Sequence, residues 1–172
     1  MQDKIIIEDE EVAIELTEAQ KYTICKKYWA HTAFSLDDKK ALRDKALAND
    51  SSDNAQNVKK VLDWSLPEAA LKERLWEEIM DESSGASLME IRLKIQGFWQ
   101  RHMQPELMAP YFEKYYASIK RVVDTRDREF AEILMNGMSP AFNAREQDET
   151  AFNELLSRCT DENHFFTLFL KK

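Results

Sequence analysis

Glycine, proline and cysteine are scarce in this chain of 172 residues, which has three glycines, four prolines and two cysteines. A sandwich of β-sheets needs a turn signal roughly every 8–12 residues, and so few turn-forming residues cannot supply them. Valine, isoleucine and threonine, which favour strands, do not dominate the composition either. The shortage of strand and turn formers therefore predicts an all-α fold.

Long apolar runs and an excess of positive charge are also missing. No run approaches the roughly 20 apolar residues of a membrane-spanning helix, and the acidic start of the chain is unlike a signal peptide. The 24 basic residues are outnumbered by 32 acidic ones, which gives a net charge of −8. Because phosphate backbones attract basic surfaces, the sequence predicts neither nucleic acid nor a membrane as a partner.

The two cysteines, Cys25 and Cys159, are far apart in the sequence and lack the spacing of a metal site. Both fall among apolar neighbours, where a free thiol behaves as a small hydrophobic group. We therefore expect two reduced core thiols rather than a disulfide, which favours a cytoplasmic setting.

Catalytic and metal-binding motifs are absent from the sequence. It contains no His-Glu-x-x-His, no glycine-rich phosphate loop and no Cys-x-x-Cys. His31, His102 and His164 each lack a partner at ligand spacing, so surface or core histidines are the favoured interpretation. A metal-dependent enzyme that uses His31 or His164 stays as an alternative.

Helix-start signals recur along the chain. Residues 1–16 stand apart, because they hold the one segment that could form a strand, and a first helix is equally open there. From residue 17 onward, a hydroxyl residue repeatedly precedes an apolar period and can accept an N–H of the first helical turn. These signals predict helices that start after Thr17, Ser35, Ser52, Ser65, Ser87 and Thr125, and a final helix pair over 148–159 and 160–171.

The apolar spacing predicts the buried face of each helix. In the first helix Ile24, Tyr28 and Thr32 follow the spacing of three to four residues that a buried stripe shows. The corresponding predicted core positions of the later helices are Val58, Val61, Leu62, Leu71, Leu75, Ile79, Leu88, Ile91, Ile95, Phe98, Phe130, Ile133 and Leu134.

A possible repeat adds to this pattern. The pairs Ser35-Leu36 and Ser65-Leu66 lie 30 residues apart, and both precede acidic first turns. A helix-pair repeat of such a length is typical of an α-solenoid. We therefore expect antiparallel helix pairs that stack as a HEAT-like superhelical bowl over residues 17–172.

Glycine and proline predict the corners between helices. Gly97 lies inside a predicted helix, where glycine costs about 1 kcal/mol relative to alanine, so we expect a neighbouring helix to pass close to it. Pro105 and Pro110 predict a short turn followed by a helix that begins or bends near Pro110. Gly137 and Pro140 predict the stop and exit of the next helix.

The densest aromatic cluster consists of Tyr111, Phe112, Tyr115 and Tyr116. Core packing is the favoured interpretation of these rings. The alternative is a groove in which Tyr111, Tyr115 and nearby Arg121 hold the backbone or carboxylate of a peptide.

The segment around these tyrosines resembles a known family. Gly97-Phe98, followed by ELMAPYFEKYY over 106–116, is similar to the C-terminal region of zinc aminopeptidases of the aminopeptidase N family. The family pattern is Gly-Phe, a short gap, and then Glu-Leu-Leu-x-Pro-Tyr before further aromatic residues. Other matching positions are the turn over 48–53, Ser65-Leu66-Pro67, Lys72 and Trp76, whereas Met138 and Ser139 depart from the family's Gly-Leu-Phe-Pro element.

The resemblance covers roughly residues 20–160 and implies an all-α, HEAT-like domain. In endoplasmic-reticulum and puromycin-sensitive aminopeptidases such a domain forms a bowl over the catalytic domain, encloses the substrate cavity and moves between open and closed states. The family's zinc ligands, general-base glutamate and Gly-x-Met-Glu-Asn motif belong to an upstream catalytic domain and have no counterpart here.

What the resemblance implies is a non-catalytic C-terminal domain that gates peptide access. Zinc is implied for the parent enzyme alone, and the implied partners are its catalytic domain and the peptide substrate. A free-standing helical-repeat scaffold that binds a protein partner is the alternative.

Overall fold

The computed structural model describes residues 3–7, 10–14, 16–48, 50–139, 150, 153–155 and 157. The first described element is an antiparallel pair of strands, β1 (Asp3–Ile7) and β2 (Glu10–Ile14). Asp3 pairs with Ile14, and Ile7 pairs with Glu10. Of the two possibilities left open for this segment, the strand is the one observed.

From Glu18 to Met138 the structure consists of helices and the short segments between them, which confirms the all-α prediction for this part of the chain. Residues 150, 153–155 and 157 are helical as well. The helices with described bounds are α1 (Glu18–Ala30), α2 (Leu36–Leu47), α3 (Asp53–Trp64), α4 (Ala69–Met80), α5 (Leu88–Phe98), α6 (Pro105–Thr125) and α7 (Arg128–Met138).

The odd-numbered helices pack in a row. Helix α1 contacts α3, α3 contacts α5, and α5 contacts α7. Helix α2 packs on α1, α4 packs on both α3 and α5, and α6 packs on α7. Contacts between alternate helices are what stacked helix pairs require, while the HEAT-like superhelical bowl itself stays a prediction.

Two hydrophobic clusters stabilise the fold. The amino-terminal core is formed by α1, α2 and α3, and its buried residues are Tyr22, Cys25, Trp29, Leu47, Ala55, Val58 and Leu62. The carboxy-terminal core is formed mainly by α4 to α7, and its largest buried side chains include Trp76, Phe98, Met108, Tyr111, Tyr115, Ile119 and Phe130. Helices α3 and α5 meet where the two cores adjoin.

Four of the predicted helix starts are confirmed by their caps. Thr17 forms a capping box with Gln20, because each backbone N–H donates to the other residue's side chain. Ser35, Ser52 and Ser87 each accept a backbone N–H from the residue three positions later, at 3.2 Å. Each hydroxyl thereby satisfies one of the N–H groups that the first turn of a helix leaves without a partner.

Two predicted caps are wrong. Ser65 ends α3, because its hydroxyl donates to the carbonyl of Leu62 at 2.9 Å; Glu68 precedes α4 without a side-chain cap. Thr125 is the last residue of α6, and Asp127 caps α7 by accepting the N–H of Phe130 at 2.8 Å. In both cases the hydroxyl residue closes the preceding helix instead of opening the next one.

The predicted buried face of α1 is wrong. Ile24 is 47 % exposed and Thr32 is exposed, whereas Tyr22, Cys25 and Trp29 face the core. The buried stripe follows the same helical spacing but is rotated around the helix axis, because residues three and seven positions apart also share a face.

The predicted short turn between the two prolines of α6 is also wrong, since one helix runs from Pro105 through Pro110 to Thr125. A bend of this helix near Pro110 stays a prediction. Pro105 occupies the first helical position, where its missing N–H costs nothing. Pro110 lies inside the helix and lacks the N–H that would donate to the carbonyl of Glu106. Its neighbours Met108 and Tyr111 are buried in the carboxy-terminal core.

The two helical glycines both mark close contacts. A Cβ on Gly97 would lie 2.5 Å from the Trp64 Cβ and 3.0 Å from the Val61 carbonyl oxygen, which confirms the predicted close approach of another helix. Gly137 does not stop its helix, because α7 continues to Met138. Its missing side chain instead makes room for Ile95, whose Cγ2 would lie 2.6 Å from an added Cβ.

The predicted core residues of α3, α5 and α7 are buried, except that Leu88 is partly exposed. In α4, Leu75 and Ile79 are buried, while Leu71 is partly exposed. None of the described helices combines the length and apolar character needed to cross a membrane. Predictions for Pro140, Cys159 and His164, and for most of the final helix pair, lie outside the described residues.

Candidate functional site

Several of the positions that carry the family resemblance lie close together in space. The Phe98 and Tyr111 rings pack edge to face with centroids 4.9 Å apart. The Trp76 ring lies 5.7 Å from Tyr111 and 6.1 Å from Phe98. Tilted and edge-to-face pairs at such distances are the favoured arrangements of aromatic rings, so the three residues hold α4, α5 and α6 together.

Lys72 joins this group from α4, and no part of its side chain reaches solvent. Its Nζ donates to the carbonyl of Trp64 at 3.1 Å and to the carbonyl of Gly97 at 3.2 Å. Burial lowers the pKa of the Lys72 amine to about 7, because a low-dielectric surrounding disfavours the charged form. The side chain links the end of α3 with the last turn of α5.

Tyr111 is buried, but its hydroxyl reaches the edge of the core. It donates to the Glu73 carboxylate at 3.0 Å, and Lys114 contacts the same carboxylate at 2.8 Å. The Lys114 Nζ also lies 4.9 Å from the centre of the Tyr111 ring. Burial and the Glu73 hydrogen bond raise the pKa of Tyr111, which keeps the hydroxyl protonated as a donor.

The other two predicted peptide-binding residues lie in different surroundings. Tyr115 is 3 % exposed, and burial raises its pKa. Arg121 is on the surface, with its Nη1 3.5 Å from a Glu82 carboxylate oxygen. The structure therefore brings Tyr111 and Tyr115 together in the carboxy-terminal core and leaves Arg121 outside it. A peptide-binding role for the three residues stays a prediction.

A cleft of about 390 Å³ crosses the surface of the odd-numbered helices; we call it the odd-helix cleft. One wall comes from α1, with Thr23, Lys26 and Lys27. Ile95 of α5 and Gly137 of α7 contribute to its lining. The opposite wall comes from the end of α5 and the residues after it, namely Gln96, Trp99 and Gln100.

This cleft could not be predicted from the sequence. Its walls come from segments that are far apart in the sequence, so no local motif predicts it. One usable signal is the pair Lys26-Lys27, because none of the residues three or four positions away on α1 is acidic. A carboxylate three or four positions away would form an ion pair with a lysine along the helix, and Lys26 and Lys27 lack one.

The histidines that are described make contacts with residues close to them in the sequence. The Nδ1 of His31 accepts the Ala33 N–H at 3.1 Å, and the His31 ring lies 5.2 Å from Phe34. The Nε2 of His102 accepts from the Arg101 Nε at 3.2 Å. Among the described residues there is no group of three or more His, Cys, Asp or Glu side chains that could hold a metal ion.

Cys25 is a free, buried thiol of the amino-terminal core. Burial raises its pKa to about 11, so the thiol stays protonated and unreactive at neutral pH. This agrees with the prediction of a reduced core cysteine.

Comparisons with known proteins add no relative. No protein-family model matches the chain, and no match is found among curated proteins. The resemblance to zinc aminopeptidases consequently depends on the residues described above.

Proposed function

We propose that the chain is the non-catalytic C-terminal domain of a zinc aminopeptidase, where it encloses the substrate cavity and gates peptide access to the catalytic domain. The observation that carries this proposal is the contact network of Lys72, Trp76, Gly97, Phe98 and Tyr111. These residues match the family at separate places in the sequence, and they form one packed unit across α4, α5 and α6. A shared pattern that meets in space supports a shared domain more strongly than scattered identities do.

The proposed role is positional rather than chemical. A rigid helical unit that closes over a cavity excludes water and orients the substrate. The packed unit supplies rigidity, and the odd-helix cleft supplies a surface on which a peptide can lie. Zinc would belong to the parent's catalytic domain, and the partners would be that domain and the peptide. The buried free thiol of Cys25 supports a cytoplasmic setting.

Two measurements test the proposal. In the coding region upstream of Met1, we expect an in-frame His-Glu-x-x-His motif with a further glutamate ligand. The isolated chain should not hydrolyse aminoacyl-arylamides with or without added zinc. Chelator-sensitive hydrolysis by the isolated chain would contradict a non-catalytic role.

The second candidate is a free-standing scaffold that binds a protein partner. The observation in its favour is again the odd-helix cleft, since a surface built from a row of helices suits a partner protein as well as a substrate. A start codon at Met1 with no catalytic domain encoded upstream would favour the scaffold over the aminopeptidase domain.

A further inference from the structure

The odd-helix cleft carries positive charge in a strongly acidic protein. Acidic residues number 32 of 172, yet none of the residues that line this cleft is acidic, and two are lysines. Lys26 and Lys27 form no ion pair with any residue that the structure describes. Within the part of the chain that the structure describes, the positive charge of this cleft is therefore not compensated by an ion pair.

The placement of Lys26 makes a bound anion favourable. Its side chain is half-buried beside Lys27, and burial together with the neighbouring charge lowers its pKa. A carboxylate bound to the Lys26 ammonium group would offset both effects, because an opposite charge at hydrogen-bonding distance favours the protonated lysine. Partial burial also strengthens such a pair relative to one in open solvent.

The opposite wall suits a peptide. The Gln100 amide is held in place, since its Nε2 donates to the carbonyl of Gln96 at 2.7 Å. Its Oε1 can accept a backbone N–H, and the Gln96 amide is exposed. Trp99 is partly exposed and is fixed by its edge-to-face contact with Phe112 at 5.3 Å. The Trp99 ring can cover the methylene groups of an acidic side chain.

We propose that the odd-helix cleft binds an extended peptide segment through glutamate or aspartate side chains, with Lys26 and Lys27 as the cationic contacts. The inference deepens the proposed function, on which it rests, by naming the class of peptide. A long polyanion such as a nucleic acid is disfavoured by the net charge of −8. A short segment with one or two carboxylates gains the local attraction and avoids most of the long-range repulsion, which salt screens within about 10 Å.

The test is a binding measurement on the full 172-residue chain with labelled peptides. The probe is a fluorescein-labelled, C-terminally amidated decapeptide with two glutamates, and its partner has glutamine at both of these positions. Fluorescence anisotropy should show binding of the glutamate peptide at least tenfold tighter than that of the glutamine peptide. The difference should shrink as salt is raised, because the contacts are ionic.

A matched pair of variants places the binding in the cleft. Lys26→Gln with Lys27→Gln should weaken the glutamate peptide about tenfold. Lys59→Gln with Lys60→Gln removes the same charge from another adjacent lysine pair, on α3 outside the cleft lining, and should change affinity less than twofold. Circular dichroism spectra of both variants should match that of the unmodified chain.

Each alternative outcome is informative. Equal binding of the two amidated peptides, equal loss in both double variants, or no binding at all would overturn the acidic-peptide assignment while leaving the upstream-sequence test of the proposed function untouched. Tight binding of the glutamine peptide only when its C-terminus is a free carboxylate would overturn it as well, because the ligand would then be the peptide end.

Discussion

Lys72 has a buried amine that contacts the ends of two other helices. It extends from α4 to carbonyl groups at the end of α3 and in the last turn of α5. The C-terminal end of a helix carries a partial negative charge that favours a nearby cation, whereas burial disfavours it. Burial is the stronger effect, since the pKa of the amine falls to about 7. Lys72 is one of the positions that resemble the aminopeptidase pattern, and in the structure its side chain links α4 with α3 and α5.

This shift predicts how stability depends on pH. The unfolded chain keeps a lysine pKa near 10.4, so between pH 7 and about 10 it binds more protons at this residue than the folded chain does. The free energy of unfolding therefore rises with pH across that window, by at most about 1.4 kcal/mol per pH unit from Lys72. This contribution is lost as the pH falls towards 7. We expect Lys72→Met to remove this part of the dependence.

The measurement is urea denaturation of both proteins from pH 7 to pH 9.5. As the pH rises, the free energy of unfolding of the unmodified chain should increase steadily relative to that of Lys72→Met. The free energy of unfolding of Lys60→Met, which changes an exposed lysine of α3, should change with pH in the same way as that of the unmodified chain. If Lys72→Met also shows the same pH dependence as the unmodified chain, the amine keeps an ordinary pKa in the fold.

At the scale of the element, helix existence was predictable and helix limits were only partly so. Thr17, Ser35, Ser52 and Ser87 combine a cap residue with a following apolar period, and both signals are local. Ser65 has the same local signal, but its hydroxyl bonds backward to α3. Which of two adjacent helices a hydroxyl serves depends on how the chain turns between them, and that turn is set by tertiary packing.

Orientation around the helix axis was less predictable than helix position. Helix α1 has apolar or aromatic residues on more than one side, so Ile24 and Cys25 belong to two different apolar stripes. The stripe of Cys25 is buried, because it contacts α2 and α3. Gly97 could be predicted because a glycine inside a helix has few uses other than a close contact.

The contact of α3 with α5 at Gly97 gives the second prediction. Gly97→Ala should destabilise the fold by about 1–3 kcal/mol through overpacking, although alanine is the better helix former by about 1 kcal/mol. An added Cβ meets the backbone oxygen of Val61 at 3.0 Å as well as the Trp64 Cβ at 2.5 Å. Backbone atoms of a helix cannot move aside without shifting the whole element.

Gly137→Ala is the matched control on α7. There the added Cβ meets Ile95 side-chain atoms alone, the nearest at 2.6 Å. A side chain can adjust more easily than a helix backbone, so Gly137→Ala should cost less in thermal or urea denaturation. The reverse order of the two losses would contradict a contact between helix backbones at Gly97.

At the scale of the whole molecule, the helical class followed from composition, whereas the arrangement of helices did not. Scarce glycine and proline favour helices over most of the chain, but the row of odd-numbered helices depends on contacts between segments far apart in sequence. The same limit applies to the candidate site. Lys26 and Trp99 line one cleft only because α1 and α5 both pack on α3, and no spacing rule connects them.

Gln104 joins the two cores and gives the last prediction. It precedes α6, is 1 % exposed, and donates through Nε2 to the carbonyls of Ala30 and Ser65, both at 2.7 Å. Those carbonyls lie at the ends of α1 and α3, where no intrahelical donor remains. Gln104→Met keeps the length of the side chain but leaves both without this donor, so we expect a loss of about 1–3 kcal/mol in urea denaturation.

A matched control separates this link from a general effect of losing glutamine. Gln100→Met removes a partly exposed side chain whose amide bonds the carbonyl of Gln96 in the preceding turn, and it should cost no more than about 0.5 kcal/mol. Hydrogen exchange should then become faster in α1 and α3 of Gln104→Met, because the amino-terminal core loses its attachment to α6. Unchanged exchange in α1, or equal losses in the two variants, would mean that the packing of α3 on α4 and α5 couples the two cores without Gln104.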